Sequence, residues 1–257
     1  MGTFKDLVHK SIVSEFFLND EELTLLRERW HHTQVSLVCG CDGGLKDRIG
    51  TRGYTIYLAT RVQPIVSGYS AEQQLDDASS STRQELGAQL CVEYWLFHLI
   101  ETLGEPHSPI EVTLITDSQA SIIIRERTNQ VVSMKSLMQP DSEVAMELAL
   151  MRDQNKNTTV TFQKVQSHIP EESAPDEFFW RLNEEADRLA TLAREKVLGG
   201  ELVATAPGFL EGAKAMCIID GTYCTNKIGD RIYTQVYKDT MKDFYAENIT
   251  GWKPRLT

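Results

Sequence analysis

The sequence predicts an α/β fold, a mixed sheet with helices on both faces, from three observations. Val35 to Asp42 (VSLVCGCD) alternates with period two, placing Val35, Leu37, Cys39 and Cys41 on one face and Ser36, Val38, Gly40 and Asp42 on the other. Both faces are apolar or small, as in a central strand covered on two sides. Val112 to Asp117 (VTLITD) repeats the pattern, an apolar strand closed by an aspartate. Finally, hairpin-linked strands are followed by helix, strand, helix, helix, strand and helix, an order that puts helices on both faces of one sheet.

In chain order, residues 1 to 34 form a helical leader, capped by Asn19 or Asp20, with Asp20, Glu21 and Glu22 in its first turn and Leu23, Leu25 and Leu26 leading to Trp30. Adjacent His31 and His32 point in different directions and read as a surface linker. The anchor strand ends at Asp42, at the carboxyl edge where open α/β sheets place their chemistry. A polar, Gly-punctuated turn (GGLKDRIGTRG) leads to a second strand, Tyr54 to Thr60, and Arg61 to Ile65 leads to a third. Ser67 to Ser81 reads as a loop. Thr82 opens a helix with Glu85 three residues on, a capping-box spacing, and Glu85, Ala88, Gln89, Val92, Leu96 and Leu99 make one stripe.

After the second aspartate-closed strand, Ser118 to Arg127 is a helix, residues 128 to 140 a loop, and Ser142 to Gln154 an amphipathic helix. Val160 to Ser167 alternates as a strand running into His168. A loop with two prolines then leads to a helix, Phe178 to Val197, with Asn183, Asp187 and Ala190 on one face. The expected division is a leader (1–34), a catalytic domain (35–197) and an extension (198–257) with a short strand, Met216 to Ile219, a turn at Gly221, and an amphipathic helix, Lys227 to Glu247.

Across 257 residues the hydrophobic share is 41 % and the net charge −11. The acidity sits in the middle: residues 35–197 hold 15 Lys/Arg against 24 Asp/Glu. That reads mostly as a solvated acidic surface, with some carboxylates collected for cations. No apolar run reaches the roughly 20 residues of a membrane helix, and the N-terminus lacks a signal-peptide core. Five cysteines without metal-ligand spacing read as reduced thiols. The expectation is an intracellular protein, cytoplasmic or nuclear, without a membrane partner.

Four carboxylates fall at comparable places: Asp42 and Asp117 at strand ends, Glu85 at a helix start, and Asp187 on the inner face of the last helix. Clustered carboxylates repel one another unless a cation neutralises them. Oxygen-only ligands favour Mg²⁺ or Mn²⁺. An open site of this kind suits two-metal phosphodiester chemistry, with ions about 4 Å apart.

The segments CDGG, TRQELGA, ITDSQAS and VQSH, followed by NEEADRLA, resemble the ribonuclease H family in order and spacing from about Val35 to Val197. The resemblance implies a five-stranded mixed sheet flanked by helices and metal-dependent hydrolysis of the RNA strand of RNA/DNA hybrids, leaving a 3′-hydroxyl and a 5′-phosphate. It implies that Asp42 bridges both ions, that Asp187 completes the site of the ion activating the attacking water, and that Glu85 and Asp117 hold the ion beside the leaving oxygen. His168 matches a mobile-loop histidine that assists proton transfer or product release, and Asn183 a structural partner in the last helix. Substrate contacts are implied at Gly43, Thr82, Ser118 and Gln119, with recognition through 2′-hydroxyls and phosphates.

Two departures stand out. Where some members carry a basic substrate-gripping insertion, this chain has only Arg125, Arg127 and Lys135, and Ser81-Thr82 replaces amides found in many relatives. Binding then leans on bound metal or a basic partner. The layout is similar to a retroelement polyprotein in which the nuclease follows a reverse transcriptase, implying that region as a partner. Two other readings share the fold: a non-catalytic scaffold module, against which four converging acids argue, and a DNA-acting nuclease, which usually has a different last acid.

Overall fold

The computed structural model describes residues 15–73, 80–128, 139–205, 217–219, 222–224 and 227–248. Its centre is a six-stranded mixed sheet of β1 (Glu15–Leu18), β2 (Ser36–Lys46), β3 (Ile49–Leu58), β4 (Pro64–Gln73), β5 (Ile110–Thr116) and β6 (Thr158–Lys164), in the order β1-β4-β3-β2-β5-β6. Strands β1 to β4 pair antiparallel, whereas β2–β5 and β5–β6 are parallel. Five of these strands make the sheet expected from sequence. The sixth, β1, lies in the leader, which therefore holds a strand as well as the helix α1 (Asp20–Trp30), capped by the Asn19 side chain.

Two strand boundaries depart from expectation. The glycine-rich segment is not a long turn: β2 runs on to Lys46 and β3 starts at Ile49, joined by Asp47 and Arg48 alone, both at positive φ. Two consecutive left-handed residues make a turn whose twist matches that of the strands it joins. Ser67 to Gln73 is likewise strand, held by β3 on one side and partly by β1 on the other. Residues 74–79 and 129–138, Met216 and Gly221 lie outside the described residues.

The larger core fills one face, where Leu37, Cys39 and Cys41 of β2 and Tyr54 and Ile56 of β3 pack with Leu26, Trp30, Leu86, Trp95 and Leu96. The helices there are α1, α2 (Ser81–Leu103) and α4 (Ser142–Gln154), with the short α3 (Gln119–Arg127) beside α2. Because α4 covers the side of α2 that faces away from the sheet, Arg83 to Glu93 is buried all round rather than along one stripe. The other face carries α5 (Glu177–Leu198), whose Leu182 meets Val38 and Ile115 and whose Leu189 and Ala193 meet Tyr69. Residues 217–219 and 222–224 form a separate ribbon, β7 and β8, followed by α6 (Ile228–Asn248).

Helix α5 lies close on the sheet because two strand positions have no side chain. A Cβ at Gly53 would stand 2.0 Å from the Ala186 carbonyl oxygen, and one at Gly40 would stand 2.4 Å from that of Leu182. A side chain at either would push the helix away. Gly53→Ala should cost about 1–3 kcal/mol, the usual price of overpacking, read as a lower urea midpoint at unchanged slope. Gly44→Ala, whose Cβ would meet only the Thr51 hydroxyl at 3.9 Å, should leave the midpoint nearly where it was.

Candidate active site

The parallel register aligns Asp42, which lies inside β2 and not at its end as expected, with Asp117, the residue just past the end of β5. Strand β2 pairs with β5 from Ser36↔Glu111 to Gly40↔Ile115, so Asp42 and Asp117 each lie two residues beyond the last pair. With period-two alternation they share a face and a height. Glu85 reaches the same point from α2. The helix backbone comes so near β2 that a Cβ at Gly43 would lie 2.2 Å from the Gln84 carbonyl carbon and 2.4 Å from the Glu85 nitrogen. The Thr116 hydroxyl then donates to Glu85 Oε2 at 3.3 Å.

One carboxylate oxygen from each of Asp42, Glu85 and Asp117 lies within 4.8 Å of the others. Asp187 is outside that mutual set but stands within hydrogen-bonding reach of Asp42. Its position follows from the α5 contact. Ala186 rests on Gly53, and Gly53 is the ladder partner of Asp42.

Burial first, then the charges of Asp187 and Asp117, push the Asp42 carboxyl up to about 7 from its usual 3.8; the Gly43 backbone N–H opposes this in part. Glu85 is held well above its ordinary range, first by burial, then by Asp42 and Asp117, against the Thr116 hydroxyl and the Gly43 N–H. No basic side chain is among these leading influences. Hard oxygen donors with uncompensated negative charge fit a divalent cation such as Mg²⁺.

The other expected site residues are spread around this cluster. Gly43 is at its base. Ser118 caps α3, accepting from the Ser121 N–H at 3.3 Å, and Gln119 is exposed beside it. Thr82 is half-buried inside the first turn of α2 and is not the cap. Ser80 holds the cap position, and its hydroxyl donates to Asp141 at 3.1 Å. His168 is exposed in the loop after β6 at φ 56°. Asn183 is buried, and its Oδ1 has no donor among the described residues.

Sequence reasoning passed over the ion network just behind Glu85. Arg52 Nε donates to Gln84 at 2.8 Å and the same guanidinium pairs with Glu72; Arg83 donates to Glu72 at 2.8 Å and pairs with Glu143. All four charged side chains are buried. Their signal was indirect: Arg83 and Gln84 immediately precede a candidate ligand on a helix whose faces are covered.

The raised Asp42 value fixes a pH dependence. An unfolded aspartate ionises near 3.8, while the folded one resists until about 7. The metal-free fold therefore loses stability as pH rises through that window, by on the order of 4 kcal/mol when complete. In the presence of a chelator at pH 8, Asp42→Asn should melt above the wild type, the gap should close near pH 4, and added Mg²⁺ should raise the wild type more than the variant. A variant that melts lower at pH 8 would contradict this electrostatic account.

No protein-family model matches the chain, and no curated protein matches it. Among solved structures it is similar to the N-terminal ribonuclease H domain of a Mycobacterium tuberculosis protein, at 15 % identity over 65 % of this chain and 99 % of that one, with a TM-score of 0.42. It is similar also to a ribonuclease H1 isolated from compost by a metagenomic approach, in complex with an RNA/DNA hybrid, at 16 % identity over 63 % and 99 %, TM-score 0.42. A third is the protease-reverse transcriptase of prototype foamy virus, at 16 % identity over 62 % of this chain and 21 % of that one, TM-score 0.41. The solved structures that the chain resembles thus include ribonuclease H domains.

Proposed function

We propose that this chain is a divalent-metal-dependent ribonuclease H that hydrolyses the RNA strand of RNA/DNA hybrids. The observation that carries the reading is the convergence of Asp42, Glu85 and Asp117, oxygens within 4.8 Å, at a partly buried sheet edge with Asp187 against Asp42. A fold gains nothing from holding like charges together where burial already penalises them. The cost is recovered when cations bind.

In this reading Asp42, Glu85, Asp117 and Asp187 hold Mg²⁺, with Mn²⁺ as a substitute, and two ions supply charge stabilisation and a more acidic attacking water. Water adds to the phosphorus, the bond to the 3′ oxygen breaks, and the products carry a 3′-hydroxyl and a 5′-phosphate. On the roles the resemblance implies, Asp42 would help to hold both ions, Asp187 the ion that activates the water, and Glu85 with Asp117 the ion that stabilises the leaving oxygen. His168, exposed on its loop, passes a proton or helps release product. Gly43, Thr82, Ser118 and Gln119 contact the hybrid. Residues 35–197 are the catalytic unit, placed after a reverse transcriptase region in a retroelement polyprotein.

Purified chain incubated with a labelled hybrid in Mg²⁺ or Mn²⁺, beside RNA and DNA duplexes, should cut only the RNA of the hybrid. Asp42→Asn should slow cleavage by about 10²- to 10³-fold or more, the scale of losing one preorganised stabilising group. No cleavage by folded protein with either metal would remove the nuclease reading, and cleavage of duplex DNA would replace its substrate.

A further inference from the structure

Two concavities adjoin the acidic cluster, and Trp180 lines both. The first, about 480 Å³, lies between the loop after β6 and the first turns of α5, with Asp117 in its wall. The second, about 640 Å³, follows the outer side of α5 past Asp187. Trp180 is thus shared by a cavity that Asp117 helps to line and one that Asp187 helps to line. The indole is half-buried, and its N–H is shielded from solvent with no acceptor among the described residues.

The lining selects the kind of group that fits. The arginines of the second concavity are already engaged, Arg181 by Glu171 at 2.6 Å and by Glu177, and Arg188 by Glu185 at 2.7 Å. In the first, the one cation, Lys164, shares the lining with two carboxylates, Asp117 and Asp176. Among the described residues neither offers the surplus positive charge that a phosphate requires. The first cavity instead combines apolar walls from Val165, Ile169 and Phe179 with the indole and the amides of Gln163 and Gln166. Aromatic and apolar walls with a few hydrogen-bonding groups, in a volume of a few hundred Å³, suit a flat heterocycle.

We propose that this cavity is a nucleobase subsite, in which an unpaired base of the nucleic acid held at the carboxylates stacks on Trp180. The inference rests on the nuclease reading for the nature of its ligand, and its test is a binding measurement read apart from cleavage. The substrate preference that follows is for hybrids with a mismatched or frayed nucleotide close to the scissile phosphate.

The test uses the full chain in Ca²⁺ and fluorescein-labelled hybrids carrying one mismatched nucleotide at successive positions, each beside a copy with an abasic site there. At one position the mismatched hybrid should bind about 5- to 150-fold more tightly than its abasic copy, the range for one base stacked on an aromatic ring. The difference should vanish in Trp180→Ala and largely return in Trp180→Phe. Should Trp180→Ala fail to fold by thermal melting, Ala174→Phe, which fills the cavity from its loop, should abolish the difference instead. A difference that survives in folded Trp180→Ala or Ala174→Phe overturns the subsite, as does its absence at every position, including absence of binding. Cleavage in Mg²⁺ is scored separately. Coupled binding without cleavage upholds the subsite and removes the nuclease reading, and cleavage without coupling does the reverse.

Discussion

The arrangement depends on how closely two helix backbones approach the two central strands from opposite sides. At Gly43 the start of α2 lies where a Cβ would be, and at Gly40 and Gly53 the same holds for α5. These are contacts of backbone with backbone, so their distance is set by van der Waals radii and not by adaptable side chains. Acids from two strands and from a helix on each face can therefore meet at one sheet edge. A fold with ordinary residues at these positions would hold its helices farther off and spread the carboxylates apart.

The start of α2 also joins two electrostatic regimes. Arg83 and Gln84 belong to a buried network in which each guanidinium meets a carboxylate, while Glu85, the next residue, sits among like charges. Buried ion pairs contribute little net stability over apolar packing, yet removing one partner is costly because the other is left unpaired. The network thus fixes the helix terminus in place, and Glu85 inherits that rigidity.

Much of the site is legible because Asp42 and Asp117 follow apolar period-two runs: Asp117 does close β5, whereas β2 continues past Asp42 to Lys46, paired with β3. Asp187 was readable from helical spacing. Glu85 taken alone reads as a cap partner, and only its company marks it as a candidate ligand. Strand β4 beyond Ser67 was missed because Ser, Gly and Gln have weak strand preferences, and its structure comes from pairing with β3 and β1. In sequence the acidity of the middle segment reads mostly as solvated surface, yet Glu72, Glu93, Glu143 and Glu147 are buried, three of them against arginines and Glu147 against the Tyr94 hydroxyl. Residue type gives no sign of such pairing across long sequence separation. The helical pattern of Phe178 to Val197 assigns Trp180 no particular role.

Strand β4 is bordered on its outer side by pieces of chain from both ends of the described fold. β1 pairs with Val66 to Tyr69, and Thr205, beyond α5, exchanges backbone hydrogen bonds of 2.8 and 3.0 Å with Gln73 and Ala71. The two flanks act together as a clasp over a row of amides and carbonyls that would otherwise invite a foreign strand. A fragment trimmed to residues 35–197 would lose the whole clasp while keeping every acid, leaving it prone to self-association through an edge that the longer chain keeps closed.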